Sequence, residues 1–452
     1  MKLFPQDADC VLYETGFEDD ILGRAPLSKQ LSGLVERLEN PVVIALDDKW
    51  GNGKTYFLKR WCAAHKKENN GSATTVYFDA FENDYVSDPL VSIIGAVSDR
   101  IPAKQQSTIR KWKAVATKIA KPTFGIALSL ATFGAKQHLE ELGDVLVDSV
   151  SSEAKDATRN LWDFEKERRS AIEAFKDLLV KLTQDQDAPI IVVIDELDRC
   201  RPDYALSVLE IIKHFFSVPR VHFVLGINGA ALENSVKARY GTDVDAESYL
   251  RKFINISFSL PRLMGPRGDE STVARYAAQL ISDMDLPRAL SERCANLMLY
   301  VAARNEMSLR DVGKILSKIA ILPTSVLEGR YKEGFIDILC VLLASSVVDP
   351  KLHRKLVSSS ASIDEISEFL GASAVKTAER IDGNYNPEYD HGLTLWLVTT
   401  IYACGPESAL DDDRLPSWKD DIGSRFDSFG RPQSHRKIPF NIQKDWVDVF
   451  RV

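Results

Sequence analysis

The sequence predicts an α/β fold built on a parallel sheet. Three observations predict it. Five short runs rich in Val, Ile and aromatic residues fall within the first 260 residues, helical patterns alternate with them, and a Gly-Lys-Thr turn separates the first run from its helix. Unbroken aliphatic runs suit strands covered on both faces. Alternation of strand and helix gives right-handed crossovers between parallel neighbours.

In chain order the expected strands are Pro41–Leu46, Thr74–Phe78, Pro189–Ile194, Val221–Ile227 and Phe253–Leu260. The expected helices are Thr55–Lys67, Pro89–Arg100, Asp203–Phe216 and Ala230–Tyr240, one after each of the first four strands. The interval from about 101 to 187 is too long for one crossover and reads as a helical insertion. It holds a basic stretch (Lys104–Lys121), an uncharged apolar piece (Pro122–Ala135) and a charged helical run (Asp163–Leu182). A Gly/Pro-rich joint, Met264–Gly268, follows the fifth strand. Helices then run to Leu322, where Pro323 closes the block. The expected organisation is a core over 1–265, a helical lid over 266–325 and a mostly helical region over 326–452, with a loop at Gly383–Asp390 and a Gly/Pro/Ser-rich stretch at Gly423–Ser434.

Composition narrows the classes. With 57 basic and 65 acidic residues the formal charge is −8, which argues against a uniformly basic nucleic-acid binder. An apolar share of 45 % excludes disorder as a description of the whole chain. The six cysteines (10, 62, 200, 294, 340 and 404) form no C-x-x-C pair and no zinc spacing, so they read as buried thiols in a reducing compartment. The N-terminus lacks a signal-peptide pattern, and Pro122–Ala135 falls short of the roughly 18 apolar residues of a span. That piece reads as a buried or partner-facing helix, with a membrane-surface segment as the competing reading.

The strongest chemical signal is Trp50-Gly51-Asn52-Gly53-Lys54-Thr55. Between a strand and a helix, such a loop aims backbone N–H groups into one concavity at the positive helix end. Lys54 is placed to reach β- and γ-phosphates, and the Thr55 hydroxyl to bind Mg2+. Asp48 stands where G-x-x-x-x-G-K-[ST] has its first glycine. A carboxylate beside a triphosphate is unfavourable unless it points away, so binding is expected and turnover is left open.

The third strand ends in Asp195-Glu196-Leu197-Asp198-Arg199. Asp195 is expected to hold Mg2+ through water, and Glu196 to orient and polarise the attacking water. Asp198 and Arg199 read equally as a structural ion pair or as part of the chemistry. Asn228 ends the fourth strand, as a γ-phosphate sensor or as a plain helix N-cap.

These residues together resemble the KAP family of P-loop NTPases over roughly 16–325. The carriers are Asp20–Arg24, Trp50–Thr55, Phe78–Asp84, Ile194–Pro202 with Ala205-Leu206 and Leu209-Glu210, Tyr249–Phe253, and Leu260-Pro261. The resemblance implies an ATP-binding core with sheet order 5-1-4-3-2. It also implies insertions between the two motifs, which carry membrane helices in many members. It places Arg24 and its neighbours along the adenine. Tyr56, directly after the loop, is expected to bind the nucleotide as well. Arg310, in the first turn of a helix capped by Ser308 and Asp311, is the lid cation for the γ-phosphate; Arg251 and Lys252 are further candidates, in cis or in trans. For each, a solvated surface cation is the competing reading.

The expected function is that of an ATPase acting as a nucleotide-driven switch in a multiprotein assembly, in signalling or in bacterial defence against phage. The expected cofactors are ATP and Mg2+, and the expected partners are other proteins, with a homo-oligomer as one form of the assembly. A nucleotide-loaded scaffold with little hydrolysis is the alternative that Asp48 favours. A DNA-acting motor is the alternative raised by Ile109–Lys121 with Trp112. The expected location is cytoplasmic, at most peripheral to the membrane.

Overall fold

The computed structural model describes residues 1–4, 10–86, 88–100, 169–170, 172–185, 187–215, 217–262, 271–371, 398–399, 425–426 and 437–449. The basic stretch, Pro122–Ala135, the joint at Met264–Gly268, the loop at Gly383–Asp390 and most of Gly423–Ser434 lie outside the described residues. The same holds for the insertion up to residue 168.

The strands are β1 (Val43–Asp47), β2 (Thr74–Asp79), β3 (Ile190–Asp195), β4 (Val221–Ile227) and β5 (Ile256–Phe258). They form one sheet in the order β2-β3-β4-β1-β5, all parallel. This is the expected order read from the opposite edge. Every residue of β3 and β4 is buried, which is why their sequences are apolar without alternation. β5 is shorter than the run from 253 to 260. Phe253 closes a turn onto Leu250, and with one neighbour at the sheet edge only three residues remain paired.

Helices cover both faces. α1 (Ala25–Arg37), α2 (Lys54–Lys67), α3 (Pro89–Arg100), α4 (Pro202–His214), α5 (Gly229–Tyr240) and α6 (Ala246–Leu250) belong to this body. Residues 172–185 are helical and continue the expected charged run, and Phe175 and Leu179 pack beneath the sheet. One face of the sheet packs with Leu90, Leu209 and Phe215, the other with Phe57, Trp61 and Val35.

The remaining described helices are α7 (Thr272–Asp283), α8 (Arg288–Ala302), α9 (Leu309–Ala320), α10 (Thr324–Leu327), α11 (Glu333–Val348), α12 (Pro350–Val357), α13 (Ile363–Leu370) and α14 (Ile438–Ile442). They share one apolar core running from Ala277 to Val447. The expected boundary at residue 325 therefore does not fall between two cores. Arg293 of α8 also pairs with the fully buried Asp337 of α11 at 2.6 Å. Among the described residues, no helix is long and apolar enough to cross a membrane. The five described cysteines are free thiols.

Strand register sets the site. Asp79 pairs with Asp195, Asp195 with Gly226, and Asp47 with Ile227, so four strand ends finish at one level. Ligands of open α/β sheets bind outside such carboxyl ends. Gly226 is required here, because a Cβ on it would lie 2.3 Å from Asp195 Oδ1.

Candidate nucleotide site

The loop from Asp48 to Gly53 leaves β1 and enters α2. Gly51 and Gly53 have φ of 88° and 82°, in the left-handed region that glycine tolerates without a Cβ penalty. Arg24, immediately before α1, lies beneath the loop and is 2 % exposed. Its Nη2 donates to Asn52 O at 2.6 Å and its Nη1 to Gly53 O at 3.0 Å. Burial pulls this guanidinium down to about 10, against the pull of Tyr56, Asp48 and Asp20. The structure thus places Arg24 on the loop's carbonyls; its placement along an adenine rests on resemblance alone. Asp20 supports it by accepting the backbone N–H groups of Arg24 and Ala25 at 2.6 and 2.8 Å.

Asp48 is directed away from the concavity. Its Oδ1 accepts from Asn52 Nδ2 at 2.5 Å and from Lys49 N at 2.8 Å, and lies 3.7 Å from Arg262 Nη2. The carboxylate braces the loop from behind, which answers the electrostatic objection to its presence. Lys54 Nζ donates to the carbonyls of Asp48 (2.6 Å) and Lys49 (3.2 Å). Burial lowers its pKa, while Asp198, Asp48 and Asp195 support the charged form.

Opposite the loop, Asp195 is 1 % exposed and accepts the Tyr77 phenol at 2.9 Å and the Glu196 N–H at 2.9 Å. Burial raises its pKa, and the bonds from Thr55, Tyr77 and the Glu196 backbone oppose that rise. Glu196 has φ of 58° and ψ of 26°, a conformation that costs about 1–3 kcal/mol in a non-glycine residue. That turn sends its side chain back over the loop, where Thr55 Oγ1 lies 3.5 Å from Glu196 Oε1. Arg199 Nη1 meets the same oxygen at 2.9 Å. Burial raises the Glu196 pKa; Arg199 opposes this, and Asp79, Asp195 and Asp198 add to it. Asp198 in turn accepts the indole N–H of Trp50, tying the second motif to the loop.

The helical body closes the site. Ser308 caps α9 in a reciprocal box with Asp311 (3.2 and 3.0 Å), as the sequence predicts. The Arg310 N–H donates to Gly51 O at 3.1 Å, so the start of α9 sits directly on the loop. A Cβ on Gly51 would lie 2.6 Å from that of Arg310. Between loop, strand ends and α9 lies a cavity of about 880 Å³. Trp50, Gly51, Gly53, Lys54, Thr55, Tyr56, Asp195, Glu196 and Arg310 all line it. Asn52 does not line this cavity; with Arg24, Leu260 and Leu309 it lines a second one behind the loop.

Other expected residues lie elsewhere. Asn228 caps α5, its Oδ1 accepting from Ala231 N at 3.4 Å, and it does not line the cavity. Arg251 pairs with Glu247, and Lys252 lies over the Tyr249 ring; neither lines the cavity. Several lining residues carry no motif signal: Lys59, Tyr276, Lys314 and Lys318. The 310, 314 and 318 spacing puts three cations on one face of α9, and that periodicity was readable in the sequence.

The model of the KAP family P-loop domain matches residues 24–325. The chain belongs to the KAP family of P-loop NTPases. No curated protein matches it. Among solved structures, it is similar to the ORC2 protein of Aeropyrum pernix in its ADPNP–ADP complexes, at 14 % identity and a TM-score of 0.35, over 92 % of this chain and 96 % of that one. It is also similar to a RuvB variant of Thermotoga maritima, at 10 % identity and a TM-score of 0.25, over 92 % and 99 %. Likeness at that level adds nothing to the fold, which the strand order itself defines.

Proposed function

We propose that this KAP-family chain is an ATPase that uses the nucleotide as a switch within a protein assembly. The observation that carries the reading is convergence: Lys54, Thr55, Asp195, Glu196 and Arg310 line one cavity, although they come from the core's two motifs and from the helical body.

Thr55 and Asp195 fit a magnesium ion. They supply one hydroxyl and one carboxylate, hard oxygen donors that leave further positions for water and phosphate oxygens. When bound, that ion neutralises charge on the β- and γ-phosphates and orients them. The chain's own residues do the rest. Loop N–H groups bind the phosphates, and Lys54 exchanges two loop carbonyls for phosphate oxygens. Glu196 orients a water and accepts its proton; Arg310 faces the developing charge from α9. Because the Arg310 N–H holds Gly51 O, a shift of the loop is transmitted to α9 and to the core it shares with α11. That shared core is the route by which nucleotide state reaches a partner. Signalling or defence against phage as the setting follows from family kinship. Tyr56 lines the cavity and keeps its proposed nucleotide contact, whereas Arg24, buried on the loop's carbonyls, serves the nucleotide by holding the loop, and Asn228 serves as a helix cap.

Lys54→Ala tests the site. Calorimetry with Mg-ATP is expected to show binding to wild type and a loss of at least tenfold in the variant, the contribution of one charged hydrogen-bonding group. Equal affinity in the two proteins would refute the reading.

A further inference from the structure

The short turn Leu197–Arg199 holds two functional elements at once. Asp198 takes the Trp50 indole from the phosphate loop, and the next residue, Arg199, takes Glu196. Glu196 Oε1 lies 2.9 Å from Arg199 Nη1 and 3.5 Å from Thr55 Oγ1, so those two distances bound how far Arg199 sits from the loop hydroxyl. A single phosphate group spans such a gap. Arg199 lines the cavity, and its side chain is 36 % exposed. Among the described residues Glu196 is its one ion-pair partner.

Charge makes that pairing exchangeable. Asp79, Asp195 and Asp198 crowd Glu196, and Arg199 is the cation that offsets them. A terminal phosphate entering beside Thr55 brings more negative charge than one carboxylate and offers three oxygens to a planar guanidinium. Arg199 belongs to the core, so it needs neither movement of α9 nor a neighbouring subunit to meet that group.

We propose that Arg199 is a γ-phosphate-sensing cation supplied in cis: it holds Glu196 as the structure shows, and on binding of a nucleoside triphosphate it transfers to the terminal phosphate and frees the Glu196 carboxylate to face water. The proposal rests on the nucleotide reading above and adds a residue to it. It makes Arg199 the discriminator between triphosphate and diphosphate, while Asp198 keeps the turn seated on the loop.

The test is a binding ratio, independent of turnover. Affinities for Mg-ADP and for a β,γ-imido ATP analogue are measured calorimetrically on wild type, Arg199→Gln and Arg199→Lys, with thermal melts to check folding. In Arg199→Gln the preference for triphosphate over diphosphate is expected to fall roughly 10- to 100-fold, with ADP affinity within about twofold. Arg199→Lys is expected to recover part of the preference, because the charge is kept and the fork is lost. An unchanged ratio, or ADP and analogue affinities falling in parallel, would overturn the proposal and leave the ion pair structural. Wild type that binds neither nucleotide would instead overturn the nucleotide reading, and the proposal with it.

Discussion

Arg24→Met separates the stability of the fold from the readiness of its loop. The substitution removes two bonds from a guanidinium to loop carbonyls, at 2.6 and 3.0 Å. Bonds of this charged kind contribute about 1.5–3 kcal/mol each, so about 3–6 kcal/mol together. Against this, burial depresses the guanidinium from 12.5 to about 10, which puts the cost of holding the charge there at about 3 kcal/mol. Methionine fills similar volume without that cost. The net loss of global stability is then only about 0–3 kcal/mol. The Asp20 bonds to the Arg24 and Ala25 backbone remain, so α1 stays anchored. The loop fares worse. Asn52 and Gly53 lose their donors, and re-ordering two residues on binding costs about 1–2 kcal/mol each, or roughly 30- to 700-fold in affinity. Calorimetry with Mg-ADP and a urea melt on the same preparations measure both quantities. A variant that keeps wild-type affinity would refute the account of Arg24 as the loop's anchor.

Gly51→Ala is expected to weaken nucleotide binding and to loosen the contact of α9 with the loop, since its φ is 88° and the new Cβ meets Arg310; hydrogen exchange at the start of α9 reads this, and unchanged protection counts against it. Gly33→Ala, in α1 with nothing within 4 Å of a new Cβ, is the control and is expected to stabilise by about 0.5–1 kcal/mol. His222, fully buried, has its pKa lowered by burial, with the Leu38 backbone and Glu36 opposing. The unfolded chain therefore takes up a proton below about pH 6.5 that the folded chain refuses, and stability falls as pH drops through that range. His222→Phe is expected to flatten this dependence, and denaturant midpoints at neutral and mildly acidic pH that change equally in both proteins would contradict it.

Much of this arrangement was legible because it follows from local chemistry. The Val/Ile runs of β3 and β4 announce strands covered on both faces, and those two strands sit inside the sheet. Ser308 and Asp311 announce the start of α9 by their spacing, and that start brings Arg310 to Gly51. What escaped depends on partners distant in the chain. Arg24 meets carbonyls 28 and 29 residues away, and no spacing rule links an upstream arginine to a loop's backbone. Asp48 looked like an obstacle because sequence says which group stands at a position and not which way it points. The phenol of Tyr77 reaches Asp195 only through the pairing of β2 with β3. The edge position of β5 shortened a run whose composition alone extended over eight residues.

In the proposed mechanism Glu196 performs the chemistry at a loop that binds nucleotide without it. Steady-state ATP turnover and Mg-ATP affinity, measured side by side on wild type and Glu196→Gln, address it most directly. Turnover of Glu196→Gln is expected to fall roughly 100-fold or more, the scale of a lost general base, with affinity within a few-fold of wild type. Equal turnover in the two proteins would contradict it.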